Sequence, residues 1–295
     1  MAESHSFDRV LPSELYLLEN WDETSSEDVK TQSRRLFKEF VEIGCSGRWP
    51  YLEAIRSGEY NKPTDEQVTT IFRPARSATD RAAAACLRGN ARPLMTFLRT
   101  DYGEEPSYID NWDEDDMFQV TNEFADDLGG NRLTLNDEAQ YDFGDDWSQI
   151  LYRIPEILGS YSGGHPDALR DAITEAKDEV RGWLAEFEAE TQASVKLVNP
   201  RRRSELKKKN AKERERLKQC VHHAYVQGVL WVHDTTTALT GELLFVWLDE
   251  VGRVIRKVRV LHSEASDLFG YFFKFADDES KWWEEADIGE AYSSH

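Results

Sequence analysis

Three β-type runs occur between Cys220 and His262 of this 295-residue chain: CVHHAYVQGVLWVH (220–233), ELLFVWL (242–248) and RVIRKVRVLH (253–262). Apolar, β-branched and aromatic residues dominate each run, and turn-forming sequences separate the runs. Short connections of this kind join antiparallel neighbours. Ser263 can then cap a helix that extends to Phe275. The pattern predicts an antiparallel sheet, numbered 219–262, followed by a helix.

Alternation along the first run sorts its side chains into two faces, provided that the run forms one long strand. One face is small and mainly apolar, which suits packing. The other combines aromatic rings with hydrogen-bonding groups and includes Tyr225, Trp231 and His233. This mixture is typical of the lining of a ligand pocket. His222 and His223 point to opposite faces, so the sequence predicts no metal site there.

The sequence of the N-terminal half predicts mainly helices. Residues 1–27 are polar and acidic and are expected to form a loose arm, and residues 28–160 a mainly helical region with acidic loops. Thr64 and Gln67 form a possible capping box, and Pro93 can begin a helix through Leu98. Residues 161–295 form the third region, with a strong helix from Asp167. The sequence therefore predicts an α+β fold with a helical N-terminal half and a C-terminal antiparallel sheet packed by helices.

The charge of the chain is unevenly distributed. It has 36 basic and 56 acidic residues, a net charge of −20, yet residues 201–218 carry +7, which leaves −27 on the remainder (−20 minus 7). The basic segment contains two triplets: Arg201, Arg202, Arg203 and Lys207, Lys208, Lys209. It is consistent with a nuclear-import signal, with a phosphate-binding helix, or with a solvated helix lying against its own acidic protein. The acidic remainder disfavours nucleic-acid binding by the whole chain.

Composition limits the setting and the chemistry. No apolar run is long enough to span a membrane, the N-terminus lacks the pattern of a secretory signal, and three scattered cysteines fit a reducing compartment. We therefore expect a soluble cytoplasmic protein, with import as a route to the nucleus. The chain has no phosphate-binding glycine loop, dinucleotide fingerprint or nucleophile elbow. These observations predict no cofactor and weigh against an enzyme.

The C-terminal pattern resembles a known family. The run TGELLFVWLDE (240–250), followed by GRVIRKVRVLHS (252–263) and a helix ending in Phe272 and Phe273, is similar to the end of nuclear-transport-factor-2-like proteins of the SnoaL-like kind, particularly their fungal members. The resemblance covers roughly sixty residues, at the level of a strand-turn-strand pattern. It implies a cone: a curved sheet wrapped around a helix, with a hydrophobic pocket inside. His262 departs from the family, which commonly has an acid at that position.

The resemblance implies site residues and three alternative functions. The ligand-binding candidates are Tyr225, Trp231, His233 and Trp247, and the catalytic candidates are His233 and His262. The first alternative is a protein that binds a small apolar ligand or a protein partner. The second is a cyclase, isomerase or dehydratase that uses a pocket histidine, and the third is an acidic interaction or structural assembly protein. Further expected partners are a second copy, joined through the sheet, and an import receptor at residues 201–218.

Overall fold

The computed structural model describes residues 10–89, 95–103, 132–159, 165–195, 221–261, 283 and 285–293. Its centre is a six-stranded mixed sheet in the order β2-β1-β3-β4-β5-β6. The strands are β1 (Met95–Arg99), β2 (Arg132–Leu135), β3 (Gly228–His233), β4 (Glu242–Leu248), β5 (Val254–Leu261) and β6 (Asp287–Ile288). With its helices, the sheet confirms the α+β class.

The described residues form nine α-helices: α1 (Pro12–Glu19), α2 (Val29–Glu42), α3 (Gly44–Ser57), α4 (Asp65–Gln67), α5 (Arg73–Ala75), α6 (Ala78–Gly89), α7 (Glu138–Tyr141), α8 (Pro166–Val195) and α9 (Thr235–Thr240). Val68–Phe72 is π-helical, and Trp147–Tyr152, Pro155–Ile157 and Glu290–Tyr292 are 3-10 helices. Within the described residues, none of the helices combines the length and the apolarity that a membrane span requires.

The sheet is antiparallel on one side and parallel on the other. The pairs β3–β4, β4–β5 and β5–β6 are antiparallel, which confirms the prediction for strands β4 and β5. Strand β1 lies between β2 and β3 and runs parallel to both. Both β1 and β2 come from the region expected to be mainly helical. The helix expected from Pro93 to Leu98 is wrong, because Met95–Arg99 is an interior strand of the sheet.

Helices pack on one face of the sheet. The shared core is aliphatic and includes Leu98 of β1, Leu230 and Val232 of β3, and Val246 of β4. The core also includes Val41 of α2 and residues of α6. The 3-10 helices Trp147–Tyr152 and Pro155–Ile157 contribute further side chains to it. At about 25 cal/mol for each Å² of apolar surface removed from water, this layer is a main source of stability.

The segment from residue 10 to residue 19 is not the loose arm that its polar composition predicted. Leu17 of α1 is buried in a second apolar cluster with α2, and Ser13 and Glu14 are buried as well. The Ser13 hydroxyl donates to Glu156 Oε1 over 2.5 Å, and Glu14 accepts from Arg81 over 2.7 Å. Buried polar partners of this kind hold α1 against the body, and sequence composition does not reveal them because each partner lies far along the chain.

Candidate functional site

Strands β1 and β3 place an aromatic pair and a polar pair on one face of the sheet. Phe97 is paired with Trp231, and Arg99 with His233, in the parallel register. Side chains two residues apart on a strand share a face, so all four lie on the face opposite the aliphatic core. The rings of Phe97 and Trp231 are parallel, with centroids 5.8 Å apart. At the carboxyl end of the two strands the aromatic pair is thus followed by Arg99 on β1 and His233 on β3.

The chain is fixed immediately after β1. The Thr100 backbone N–H donates to the His233 carbonyl over 2.8 Å, which extends the β1–β3 pairing by one step. The Thr100 hydroxyl donates to the Gly144 carbonyl over 2.6 Å, and the Gly144 N–H donates back to the Thr100 carbonyl over 2.8 Å. Thr100 is fully buried. These reciprocal bonds hold the edge of the site in one geometry.

A turn after β1 presents Asp101. Its carboxylate accepts from the Gly103 N–H over 2.9 Å, and hydrogen bonds from Thr235 and then from Gly103 lower the pKa of Asp101. Arg99 Nε donates to the Asp101 carbonyl over 3.0 Å, and its guanidinium lies 4.8 Å from the Tyr102 ring centroid. The half-buried carboxylate of Asp101 is therefore ionised at neutral pH and held beside an arginine.

His233 is buried, with 3 % of its surface exposed. Burial lowers the pKa of its imidazole, and the positive charge of Arg99 lowers it further, while Asp101 and Asp234 act in the opposite direction. The neutral imidazole is therefore the favoured form at neutral pH. A neutral imidazole can both donate and accept a hydrogen bond, and it can act as a base.

Asp234 anchors the other side of the site. It caps α9 by accepting a hydrogen bond from the Thr237 N–H over 2.9 Å. Its two carboxylate oxygens also accept hydrogen bonds from the two terminal nitrogens of Arg259, over 2.8 and 2.6 Å. Burial by itself would raise the pKa of Asp234, but the hydrogen bonds from Arg259 and Thr237 outweigh it, and the pKa is lowered. This fork of two bonds fixes the backbone next to His233.

The site lies where the direction of the chain changes within the sheet. The chain leaves β1 for β2 on one side and leaves β3 for β4 on the other. The carboxyl ends of the parallel strands β1 and β3 lie side by side at this edge, and ligands commonly bind at the carboxyl ends of parallel strands. Asp101 and His233 belong to this edge.

Two of the sequence-predicted ligand-binding residues are packed in the aromatic layer. Trp231 and Trp247 each have 1 % of their surface exposed. Trp231 lies 4.5 Å from Phe245, and Trp247 lies 4.3 Å from Phe245 and 5.0 Å from Trp283, between ring centroids. Their surfaces are occupied by one another, so these rings support the site rather than line open space.

Tyr225 does not join them, and the long strand expected from residue 220 is wrong. Residues 221–224 are helical, and β3 begins only at Gly228. The Tyr225 ring packs on Tyr292 at 5.5 Å, near the amino end of β3. His233 lies at the opposite end of β3, so Tyr225 and His233 are not brought together in one site.

The remaining sequence-predicted residues lie outside the described part of the chain: His262 and the basic residues of 201–218. The sequence reading missed Arg99, Asp101 and Thr235. The signal that could have found them is the strand-like run Met95–Arg99 followed by an acid, but Pro93 favoured a helix there.

No known family model matches this chain, and no curated protein or solved structure matches it.

Proposed function

We propose that this protein binds a small, mainly apolar molecule bearing one hydrogen-bonding group, at the carboxyl ends of β1 and β3. The observation that carries the proposal is the position of His233, a buried imidazole with a lowered pKa within electrostatic reach of the ionised Asp101, at the carboxyl ends of the two strands. The hydrogen-bonding group of the ligand would meet this pair. Its apolar body would lie beyond the carboxyl ends of the two strands, because the aromatic rings of the sheet face are packed against one another.

The electrostatics of the edge favour recognition by hydrogen bonding. Binding sites commonly combine an apolar wall with a few polar groups of fixed orientation. Asp101 is held by Gly103 and Thr235, and the chain at His233 is held by Thr100 on one side and Asp234 on the other. Groups fixed before binding lose little conformational entropy when a ligand arrives.

The resemblance to SnoaL-like proteins supports the same class of ligand. In those proteins a curved sheet wraps around a helix and encloses an apolar pocket. The antiparallel strands β3, β4 and β5 and their aromatic face are compatible with that arrangement, and a cone-like curvature of this part of the sheet belongs to the proposal. Strands β1 and β2 lie beyond the region that carries the resemblance.

Catalysis is a second candidate, because a neutral buried histidine beside a carboxylate is suited to abstracting a proton. The reaction would be proton removal from the carbon next to a carbonyl group, as in an isomerase or dehydratase. Incubating the protein with ketone-containing ligands in D₂O tests it. Loss of the NMR signal of that proton in the presence of wild-type protein, but not of His233→Phe, is the expected result, whereas equal rates would exclude this role for His233.

The binding proposal is tested by ligand-observed NMR with a library of aromatic and alicyclic fragments, each carrying one hydroxyl, amide or carboxylic acid group. Fragments that bind the wild-type protein should lose about tenfold or more in affinity to His233→Phe, a change of about 1.4 kcal/mol. His165→Phe is the matched control, because His165 is exposed at the start of α8. Asp101→Asn is a second site variant, and a two-dimensional NMR spectrum checks that each variant is folded.

Two outcomes would overturn the proposal. The first is a screen in which no fragment binds the wild-type protein. The second is a set of binding fragments whose affinities are the same for wild type, His233→Phe and Asp101→Asn, because binding would then occur elsewhere on the protein.

A further inference from the structure

The final described stretch of the chain is buried at every third residue. Within the described residues 283 and 285–293, the buried ones are Trp283, Ala286, Gly289 and Tyr292, and all the others are exposed. One helix cannot produce this spacing throughout, because Asp287–Ile288 is strand β6, at the edge of the sheet. The four buried residues are therefore separate anchors, and residues 283–292 are called the anchor segment.

The first anchor is held by aromatic rings and a buried arginine. The ring of Trp283 lies edge-to-face with the rings of Trp247 and His223, with centroids 5.0 and 5.6 Å away. The guanidinium of Arg256 lies 5.0 Å from the centroid of the Trp283 ring. Arg256 Nη1 also donates to the carbonyl oxygens of Trp283, over 2.8 Å, and of Ala286, over 3.4 Å. Strand β5 thus contacts both a side chain and the backbone of the anchor segment.

The middle of the anchor segment lies directly on the backbone of β5. The Gly289 N–H donates to the Ile255 carbonyl over 2.9 Å, next to the two-residue pairing of β6 with β5. The backbone at Gly289 has φ −63° and ψ 150°, which any residue can adopt. However, a methyl group at Gly289 would overlap the carbonyl oxygen of Val254. The close approach of the two backbones therefore requires glycine at this position.

The last anchor combines ring contacts with a hydrogen bond. The Tyr292 hydroxyl donates to Asp249 Oδ2 over 2.8 Å, and Asp249 is buried in the turn that precedes β5. The Tyr292 ring lies 5.5 Å from the ring of Tyr225 and 5.6 Å from that of His222, between centroids. The anchor segment is thus held at both ends by a large aromatic side chain with a polar partner.

The charges of the anchor segment and of β5 are complementary. The anchor segment has four acidic residues and no basic one, whereas β5 has three basic residues and no acidic one. In the β5–β6 register Asp287 lies opposite the exposed Lys257. Opposite charges on facing residues of neighbouring strands are stabilising. This edge of the sheet therefore favours an acidic peptide over a basic one.

We propose that Trp247, Asp249, Ile255 and Arg256 form a docking surface for an extended acidic peptide of a partner protein. Peptides that add a strand to a sheet edge gain affinity from backbone hydrogen bonds and specificity from side chains at fixed spacing. The peptide that fits has tryptophan, a small residue, glycine and tyrosine at intervals of three, as the anchor segment does. The anchor segment is then a built-in competitor, which the partner peptide displaces.

The docking surface lies away from the candidate ligand site. Trp247 is paired with Val229, near the amino end of β3, and His233 is at the carboxyl end of the same strand. Peptide docking and ligand binding at His233 can therefore be tested independently of each other.

Gly289→Ala in the full chain tests the proposal, because the methyl group displaces the anchor segment and leaves the docking surface unchanged. The probe is a fluorescent synthetic peptide of residues 283–292, followed by fluorescence anisotropy. It should bind the Gly289→Ala chain at least tenfold more tightly than the wild-type chain, whose own segment competes. The same peptide carrying Gly289→Ala should bind at least tenfold more weakly to the opened chain. The chain with Gly182→Ala is the matched control and should behave as wild type, because nothing lies within 4 Å of its added methyl.

Trp283→Ser opens the docking surface in a second way, in case Gly289→Ala prevents folding, and a two-dimensional NMR spectrum checks each chain. Preference of an opened, folded chain for the glycine peptide supports the proposal. It is overturned if neither opened chain binds the peptide, or if the glycine and alanine peptides bind equally well. A wild-type dimer that Gly289→Ala dissociates, seen by light scattering, would assign the surface to a second copy and overturn the assignment to a partner protein.

Discussion

Arg99 and His233 occupy paired positions at the carboxyl ends of the parallel strands β1 and β3. Burial lowers the pKa of the His233 imidazole, and the positive charge of Arg99 lowers it further. The negative charge of Asp101 acts in the opposite direction and raises it. Two segments far apart in sequence are needed to form the pair. The site therefore depends on the parallel pairing of β1 with β3, and disturbing that pairing should remove it.

The first prediction concerns pH. Because the pKa of His233 is lower in the folded protein than its usual 6.5, the unfolded chain binds the proton more readily. The contribution of His233 to stability is complete above about pH 6.5 and falls as the pH drops below it, by at most about 1.4 kcal/mol per pH unit. Urea unfolding between pH 7.5 and 5.5 measures this, and His233→Gln should flatten the slope. The control variant His165→Gln should keep the wild-type dependence of the free energy of unfolding on pH. If His233→Gln keeps it too, the lowered pKa does not belong to His233.

The second prediction concerns the ion pair beside the site. Arg259→Ala leaves the Asp234 carboxylate buried without its two-bond partner, and should lower the free energy of unfolding by about 3 kcal/mol. This is the low end of the range for buried pairs, because Arg259 keeps 27 % of its side chain exposed. Arg35→Ala, which removes exposed pairs with Glu27 and Glu39, should cost less than about 1 kcal/mol. If urea unfolding gives the same loss of free energy of unfolding for Arg259→Ala and Arg35→Ala, the ion pair of Arg259 with Asp234 does not stabilise the fold as described.

The third prediction separates a packed aromatic layer from an open pocket. Trp231→Ala should cost about 3–5 kcal/mol, because the ring is buried between Phe97 and Phe245. Trp183→Ala is the control: this ring is 55 % exposed on α8 and should cost well under half as much. If chemical denaturation finds the two variants equally stable, Trp231 faces open space and the packed description is wrong.

The fourth prediction uses two glycines. A methyl group at Gly228 would lie 2.8 Å from the carbonyl oxygen of Ile157, so Gly228→Ala should displace β3 from the preceding 3-10 helix and destabilise the protein by about 1–3 kcal/mol. At Gly182, inside α8, nothing lies within 4 Å of the added methyl. Gly182→Ala should therefore stabilise by about 0.5–1 kcal/mol. Thermal unfolding distinguishes the two, and a stabilised Gly228→Ala would refute the close approach.

The sequence predicts those parts of the fold whose determinants are local. Apolar and β-branched runs bounded by turns located β4 and β5, and the pair Thr64 and Gln67 forms the capping box that their spacing indicates. Strand β1 was missed, because five residues after Pro93 are compatible with helix or strand until a partner strand is known. Its partners, β2 and β3, are parallel and distant in sequence, and no local pattern encodes that pairing.

The candidate site was predicted only through His233. Tyr225 was assigned to the same face on the assumption of unbroken alternation from residue 220, and the helical turn at 221–224 removes it. Arg99 and Asp101 reach His233 only through the topology of the sheet. Sequence reasoning can therefore find the chemically distinctive residue of a site, whereas its neighbours require knowledge of which strands are adjacent.

The most direct measurement is the NMR signal of the His233 imidazole during titration with the fragments that bind. Two-dimensional carbon–proton spectra resolve the seven histidines of the chain, and comparison with His233→Gln assigns the signal. Binding fragments should shift the His233 signal in proportion to saturation, while the signal of the exposed His165 stays in place. Saturation by a fragment with no change at His233 would contradict a ligand site at the ends of β1 and β3.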